Sequence, residues 1–186
     1  MNARLVGIPP ELYSSDTGAP FAWCLVCDRP LDSDTEYMVE KAFRRYPDYG
    51  LRDTVFEYAV CTECYAEISG RFSAKSRARV DAFFAERVDQ EKRAKRLESE
   101  AADDIAPWIG RCMVSGAPVD ELEEYQVVAH CIGGFLVLGP APFIIGGPVI
   151  DEIVELLSNE TLDELGGFRD QYFGLPPELR PQVVVL

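Results

Sequence analysis

The sequence predicts an α+β protein of two related modules, joined by a long helix over about residues 74–100. Three observations predict this class. Two Cys-x-x-Cys pairs flank a hairpin pattern, helical periodicity follows the second pair, and a similar stretch recurs later in the chain. The chain has 186 residues, 47% of them hydrophobic and 27% charged, which is enough for one or two small cores. This composition excludes a wholly disordered chain and a dense disulfide scaffold.

The first module is expected to contain a β-hairpin between its two cysteine pairs. Residues 36–43 and 54–60 have the composition of strands, and the tract 44–50 (RRYPDYG) is typical of a turn. After the second pair, apolar residues recur at helical spacing. Ser73 is a suitable N-cap for a second helix, because its hydroxyl can accept a backbone N–H of the first turn.

The four cysteines of these pairs are the predicted ligands of one metal ion: Cys24, Cys27, Cys61 and Cys64. Zinc prefers four soft ligands in a tetrahedron, and four thiolates leave no open position for water. We therefore expect one structural zinc per chain and no metal-based catalysis. An iron–sulfur centre and a redox-active dithiol are the alternatives for the same residues.

This order of a Cys-x-x-Cys knuckle, a hairpin and a second Cys-x-x-Cys at a helix start resembles the treble-clef zinc finger group. The resemblance covers about residues 22–90 and rests on Cys24, Cys27, Cys61 and Cys64. It implies the fold and the metal of that group. Treble clefs serve as nucleic-acid binders, as protein-interaction modules and as parts of enzymes, so the resemblance leaves the function open.

A second stretch of the chain repeats the first at an offset of 88 residues. Residues 24–43 and 112–131 are identical at seven of twenty ungapped positions, where chance gives about one or two, and this indicates an internal duplication. The identical pairs are Cys24/Cys112, Val26/Val114, Pro30/Pro118, Asp32/Asp120, Glu36/Glu124, Tyr37/Tyr125 and Val39/Val127.

Further along, the apolar pattern continues at an offset of 85, and Ser73 aligns with Ser158. The remaining ligand positions are lost, since Cys27 aligns with Ser115, Cys61 with Gly146 and Cys64 with Val149. The second module is therefore predicted to be a degenerate, zinc-less copy. A larger apolar core replaces the ion, or part of the apolar surface packs on the first half or on another subunit.

We divide the chain accordingly into five parts. These are an N-terminal extension (1–20), a zinc-binding module (21–90), a helical linker (91–108), the degenerate repeat module (109–173) and a C-terminal tail (174–186).

The net charge of −14 argues against a general electrostatic attraction to nucleic acid or to an anionic membrane. Residues 71–96 are the exception, with nine bases and four acids. A solvated helix between two modules is the interpretation we favour for this segment. A nucleic-acid contact is the alternative, and its candidate residues are Arg71, Lys75, Arg79, Lys92, Arg93, Lys95 and Arg96.

Cys112, His130 and Cys131 are candidates for a second metal site, and Cys131 with His130 for a nucleophile and its base. We favour a structural role for all three. Neighbouring residues of a strand face opposite sides of a sheet, so His130 and Cys131 are not expected to share one ion.

Residues 127–150 contain no Asp, Glu, Lys or Arg, yet their five glycines and three prolines predict buried strands and turns instead of a membrane helix. Without an apolar leader at residues 1–13, and with six cysteines, a cytoplasmic protein is expected. The leading functional hypothesis is a non-enzymatic structural-zinc protein that binds another protein or itself, with a homodimer through the apolar second module as one form. The nucleic-acid factor and the cysteine/histidine enzyme remain the alternatives.

Overall fold

The structure is a computed structural model that describes residues 4–100 and 104–174, and only the backbone of residues 98–100. The strands of this part are β1 (Arg4–Gly7), β2 (Glu36–Tyr46), β3 (Leu51–Cys61), β4 (Glu124–Ile132), β5 (Phe135–Leu138) and β6 (Phe143–Gly146). The helices are α1 (Thr62–Gly70), α2 (Ala74–Arg87), α3 (Gln90–Glu100), α4 (Ala106–Ile109), α5 (Gly147–Leu156) and α6 (Asn159–Tyr172). The predicted α+β class is confirmed.

The described strands form one antiparallel sheet in the order β1-β5-β4-β2-β3, and β6 also pairs with β4. The second edge of β4 is shared, because β6 takes its first half and β5 its last two residues. Strands of both modules therefore belong to one sheet. They are not separate bodies connected only by a helix.

The predicted hairpin is present, and its strands are longer than the composition suggested. β2 and β3 pair from Tyr37 opposite Cys61 to Tyr46 opposite Leu51, with a bulge after Ala42. The turn is confined to residues 47–50, where Gly50 has a positive φ of 60° that is unfavourable for other residues. The tract 44–46 joins β2 because it pairs with residues 51–53 of β3. Arg44 also pairs with Glu124 of β4, a contact that the local sequence does not reveal.

The single long helix expected over residues 74–100 is wrong, because the chain forms two helices there. α2 ends at Arg87, and Val88 is extended with φ −125° and ψ 111°. Its side chain is buried, and Asp89 Oδ1 accepts the N–H of Lys92 at 2.9 Å to begin α3. Burial of Val88 and the new cap together explain the bend. The predicted N-cap is confirmed, since Ser73 Oγ accepts the N–H of Ser76.

The pairing of β2 with β4 is symmetric with respect to the predicted repeat. Nine residue pairs run antiparallel, and Glu40 lies opposite Val128 at their centre. Positions 40 and 128 differ by 88, the offset of the repeat. Corresponding residues of the two halves therefore face each other across an approximate two-fold axis through this pair. The Glu40 carboxylate is buried there, accepts hydrogen bonds from Tyr58 and Gln126, and has its pKa raised by burial.

A second contact near the same axis joins the N-termini of α2 and α6. Ser73 and Ser158, which are 85 residues apart, each cap their helix, and their hydroxyl oxygens lie 2.9 Å apart. Ser76 and Thr161 are related in the same way, and their hydroxyls are 3.0 Å apart. The backbone N–H of Ser73 donates to Thr161 Oγ1, and that of Ser158 donates to Ser76 Oγ. The polar groups of two helix starts are thus satisfied reciprocally.

The uncharged segment 127–150 forms β5, β6, part of β4 and the first turn of α5, and most of its apolar side chains are in the core. Leu136 and Ile144 are almost fully buried, whereas Phe135 remains half exposed on β5. Within the described residues, no helix combines the length and the apolar character needed to cross a membrane.

The N-terminal extension (1–20) is part of the fold where the structure describes it. β1 pairs with β5, and Leu12 is buried. Ser15 donates hydrogen bonds to the Glu57 carboxylate from its backbone and its hydroxyl. Of the C-terminal tail (174–186), only Gly174 lies within the described residues.

Loss of the Ser73 hydroxyl in S73A is expected to lower the free energy of unfolding by about 1 kcal/mol, and S158A by a similar amount, because each removes an N-cap. Since the two hydroxyls contact each other, the double variant is expected to lose less than the sum of the single losses. Urea unfolding of all four proteins measures this coupling. Strictly additive losses would contradict the contact. S69A, which changes a partly exposed serine within α1, provides the control.

Candidate metal centre

The first pair of cysteines lies in a tight knuckle before β2. The N–H of Cys24 donates to the carbonyl of Arg29, and that of Asp28 donates back to the carbonyl of Cys24. Asp28 closes the turn with a positive φ of 54°, a conformation that Asp tolerates better than most residues. The N–H of Leu25 bonds to the carbonyl of Ala59 at 2.9 Å, which fixes the knuckle against β3.

The second pair lies where the hairpin ends and α1 begins. Cys61 is the last residue of β3 and precedes the first residue of α1, and Cys64 lies in the first turn of that helix. The backbone N–H of Cys61 donates to Cys24 Sγ at 3.4 Å. Helix N-termini carry partial positive charge, and this favours the thiolate form of nearby cysteines.

All four sulfurs lie within 4.8 Å of one another, and Cys27 Sγ is 3.9 Å from Cys61 Sγ. Cys24, Cys61 and Cys64 are buried, whereas Cys27 is exposed. Within the described residues, this is the single group of three or more cysteine, histidine or acidic side chains with such spacing. The four residues can hold one metal ion.

The thiols differ in their tendency to ionise. Burial would raise the pKa of Cys24, but backbone N–H donors, led by that of Cys61, outweigh it and lower the pKa to about 7. Burial raises the pKa of Cys64, and the neighbouring thiols of Cys61 and Cys27 raise it further. Four thiolates therefore repel one another in this cluster, and a bound cation would relieve that repulsion.

The corresponding place in the second half has the same backbone and different side chains. The N–H of Cys112 donates to Ala117, that of Gly116 donates to Cys112, and that of Gly146 donates to Cys112 Sγ at 3.4 Å. A side chain at Gly146, the position of Cys61, would meet Leu122 at 2.9 Å. Restoring this ligand would therefore require Leu122 to move.

The structure separates the three residues considered for a second metal site. Cys112 is buried and accepts N–H groups from Ser115 and Gly146. Cys131 is fully buried in β4, and burial raises the pKa of its thiol to about 12. His130 is partly exposed on the other face of β4, with Nε2 3.5 Å from a Glu36 carboxylate oxygen.

The seven basic residues considered for nucleic acid differ in their surroundings. Arg93 is buried, and its guanidinium donates to the carbonyl oxygens of Pro140 and Pro142. Lys75, Lys92 and Arg96 are exposed. The other contacts are Arg71 with Glu164 at 4.0 Å, Arg79 with the carbonyl of Leu156 at 3.5 Å, and Lys95 with Glu91 at 3.8 Å.

Trp108 and Arg111 carry no signal in the sequence, yet they line one cavity together with the start of α3. Both lie outside the basic segment 71–96 and outside any motif. No pattern in the sequence could place them beside that segment, because the contact depends on how the halves pack.

The sequence matches no protein-family model, and the chain matches neither a curated protein nor a solved structure. The geometry of the chain's own residues is thus the basis for interpreting its sites.

Replacement of a ligand in C61S is expected to weaken metal binding by at least about 100-fold, because three thiolates cannot complete the shell. C112S changes the one cysteine that the second half keeps at an aligned ligand position, that of Cys24, and it is expected to retain all its metal. Native mass spectrometry after a graded chelator challenge compares the two variants. Equal loss of metal from both would contradict the four-cysteine site.

Proposed function

We propose that the four-cysteine cluster is a structural zinc site with one ion per chain. Four Zn–S bonds of about 2.3 Å place the sulfurs of a tetrahedron about 3.8 Å apart. The separation of 3.9 Å between Cys27 and Cys61 agrees with this spacing. Because all four ligands are cysteine, the ion has no free position for substrate or water, and its role is to hold the knuckle, hairpin and α1 together.

We further propose that residues 21–90 form a treble-clef-like module and that residues 109–173 are its zinc-less copy. Support comes from the equivalent turns at Asp28 and Gly116, both with positive φ. The isolated bridges Trp23–Pro30 and Arg111–Pro118 also correspond at the offset of 88. Duplication of one module is the simplest origin of two halves that pair about a two-fold axis.

The function that we infer is protein–protein interaction, and one observation carries it. At the tip of the β2–β3 hairpin, Tyr49, Leu51 and Val55 are 77%, 59% and 62% exposed. Leu51 and Val55 belong to β3, and Tyr49 lies in the turn before it. β3 is an edge strand whose free backbone groups can pair with another chain. Large apolar side chains next to an open sheet edge are typical of a docking surface.

The partner is another protein or a second copy of this chain. For the homodimer through the second module, the large apolar side chains on the surface are each less exposed than those of the hairpin tip: Phe135 at 52%, Val154 at 43%, and Leu162, Leu165 and Phe173 at 36–38%. The hairpin tip is thus the surface that we favour for the partner.

The other functional hypotheses receive less support. The guanidinium of Arg93 is buried against its own chain, which weakens the case for a nucleic-acid contact along α3. A buried thiol with a raised pKa is a poor nucleophile, so Cys131 offers little to an enzyme. We therefore propose a non-enzymatic protein. Six free cysteines fit a reducing compartment, and we infer a cytoplasmic location.

Native mass spectrometry of freshly purified protein is expected to find one zinc per chain, because the second half lacks three of the four ligands. Two zinc ions per chain would contradict the zinc-less copy. Iron, or a mass lower by two protons per cysteine pair, would contradict the structural zinc.

A photo-crosslinking residue in place of Tyr49 is expected to capture one reproducible protein, either this chain or a partner, in the cells that produce it. The same residue in place of Val154, a partly exposed apolar position on α5, is the control and is expected to capture nothing. Capture of the same proteins from both positions, or of none from Tyr49, would contradict the interaction surface.

A further inference from the structure

A cavity of about 220 Å³ lies between the bend that separates α2 from α3 and the knuckle of the second half. Val88 and Trp108 contribute apolar surface to its lining, and Cys112 and Gly116 of the knuckle line it as well. It is remote in the chain from the four metal-ligating cysteines, and it shares no lining residue with them.

The lining of this cavity is strongly basic in a protein whose net charge is −14. Five of its side chains are bases, and Asp89 is the one acid among the lining residues. The Asp89 carboxylate already accepts the N–H of Lys92 as the cap of α3. The five bases are Arg87, Lys92, Arg93, Arg96 and Arg111.

The most informative residue of the lining is Arg93. It is a buried cation, and the described part of the chain supplies no counter-ion for it. Its side chain is nine-tenths buried and held by the carbonyl oxygens of Pro140 at 3.1 Å and Pro142 at 2.6 Å. Its guanidinium carbon lies 5.4 Å from the centre of the Trp108 ring. Burial and the nearby charge of Arg96 lower the pKa of Arg93 to about 10.

Two further bases add charge that the described residues do not neutralise. Lys92 forms no ion pair with the described side chains, those of residues 4–97 and 104–174, and Arg111 donates to a carbonyl oxygen, that of Gly116. By contrast, Arg87 is paired with Glu152 at 2.8 Å. Cations that line one cavity raise the free energy of the protein unless an anion offsets their repulsion.

We propose that this cavity binds a small anion that carries a phosphate group. Arginine forks and a lysine on converging elements match the several oxygens of a phosphate, which accepts charge-assisted hydrogen bonds in many directions. The volume suits an ion the size of phosphate or pyrophosphate and is below that of typical drug-sized sites. Positive charge in an otherwise acidic protein makes the site selective against cations and neutral molecules.

The fluorescence of Trp108 can report anion binding, because Trp108 lines the cavity beneath Arg93. The second tryptophan, Trp23, is exposed near the first knuckle, and W23F leaves Trp108 as the one tryptophan of the chain. In this background, zinc-loaded protein is titrated with inorganic phosphate and with pyrophosphate at constant ionic strength. A saturable change in Trp108 fluorescence with one site per chain is expected.

K92E and K95E form a matched pair of variants. Both reverse one exposed charge on α3, but Lys92 lines the cavity whereas Lys95 is 78% exposed outside it. K92E is expected to weaken phosphate or pyrophosphate binding by at least about tenfold and K95E by less than about twofold. Thermal unfolding of both variants verifies that they remain folded.

Three outcomes would overturn the proposal. One is the absence of a saturable change with either anion at low ionic strength. Another is an equal loss in K92E and K95E, which would indicate diffuse attraction to the helix. The third is binding to an oligonucleotide alone, with both variants equally weakened, which would favour a nucleic-acid surface. None of these outcomes bears on the zinc site or on the hairpin tip.

Discussion

The antiparallel pairing of β2 with β4 is the interaction on which the rest of this structure depends. Nine residue pairs join the two halves into one sheet, so the two halves share one core. The pairing also decides which edges stay open, because it covers the inner edge of the hairpin and leaves β3 outside. Since the register is centred on Glu40 and Val128, it brings equivalent helix starts together at Ser73 and Ser158.

The two halves stabilise the same backbone by different means. In the first, four cysteines converge on one point, where an ion can hold the knuckle to the helix. In the second, Leu122 lies over Gly146, and Val149 is buried where the first half has Cys64. Apolar side chains are thus buried at positions where the first half has cysteines able to hold a metal ion. Apolar side chains of this kind have to be covered by another surface, and the sheet that both halves share covers them.

Local features were the most predictable from sequence. The Cys-x-x-Cys pairs, the hairpin and the Ser73 cap involve residues close in the chain, and each has a specific short-range cause. The bend at Val88 was missed because the segment is helical by local preference. Only the core that buries Val88 makes an extended residue favourable there. The basic cavity was missed for a similar reason, since Arg93 and Arg111 come from different elements.

By itself, the sequence determined the α+β class and the residues able to ligate a metal, and it predicts the correspondence between the two halves. These features depend on residue types and on their spacing along the chain, and neither changes with the fold. The tertiary structure decided that the halves share a sheet and that segment 127–150 is mainly core. It also decided that Arg93 is a buried cation beside Trp108. These properties depend on contacts between distant segments, and such contacts are determined only when all the surfaces pack at once.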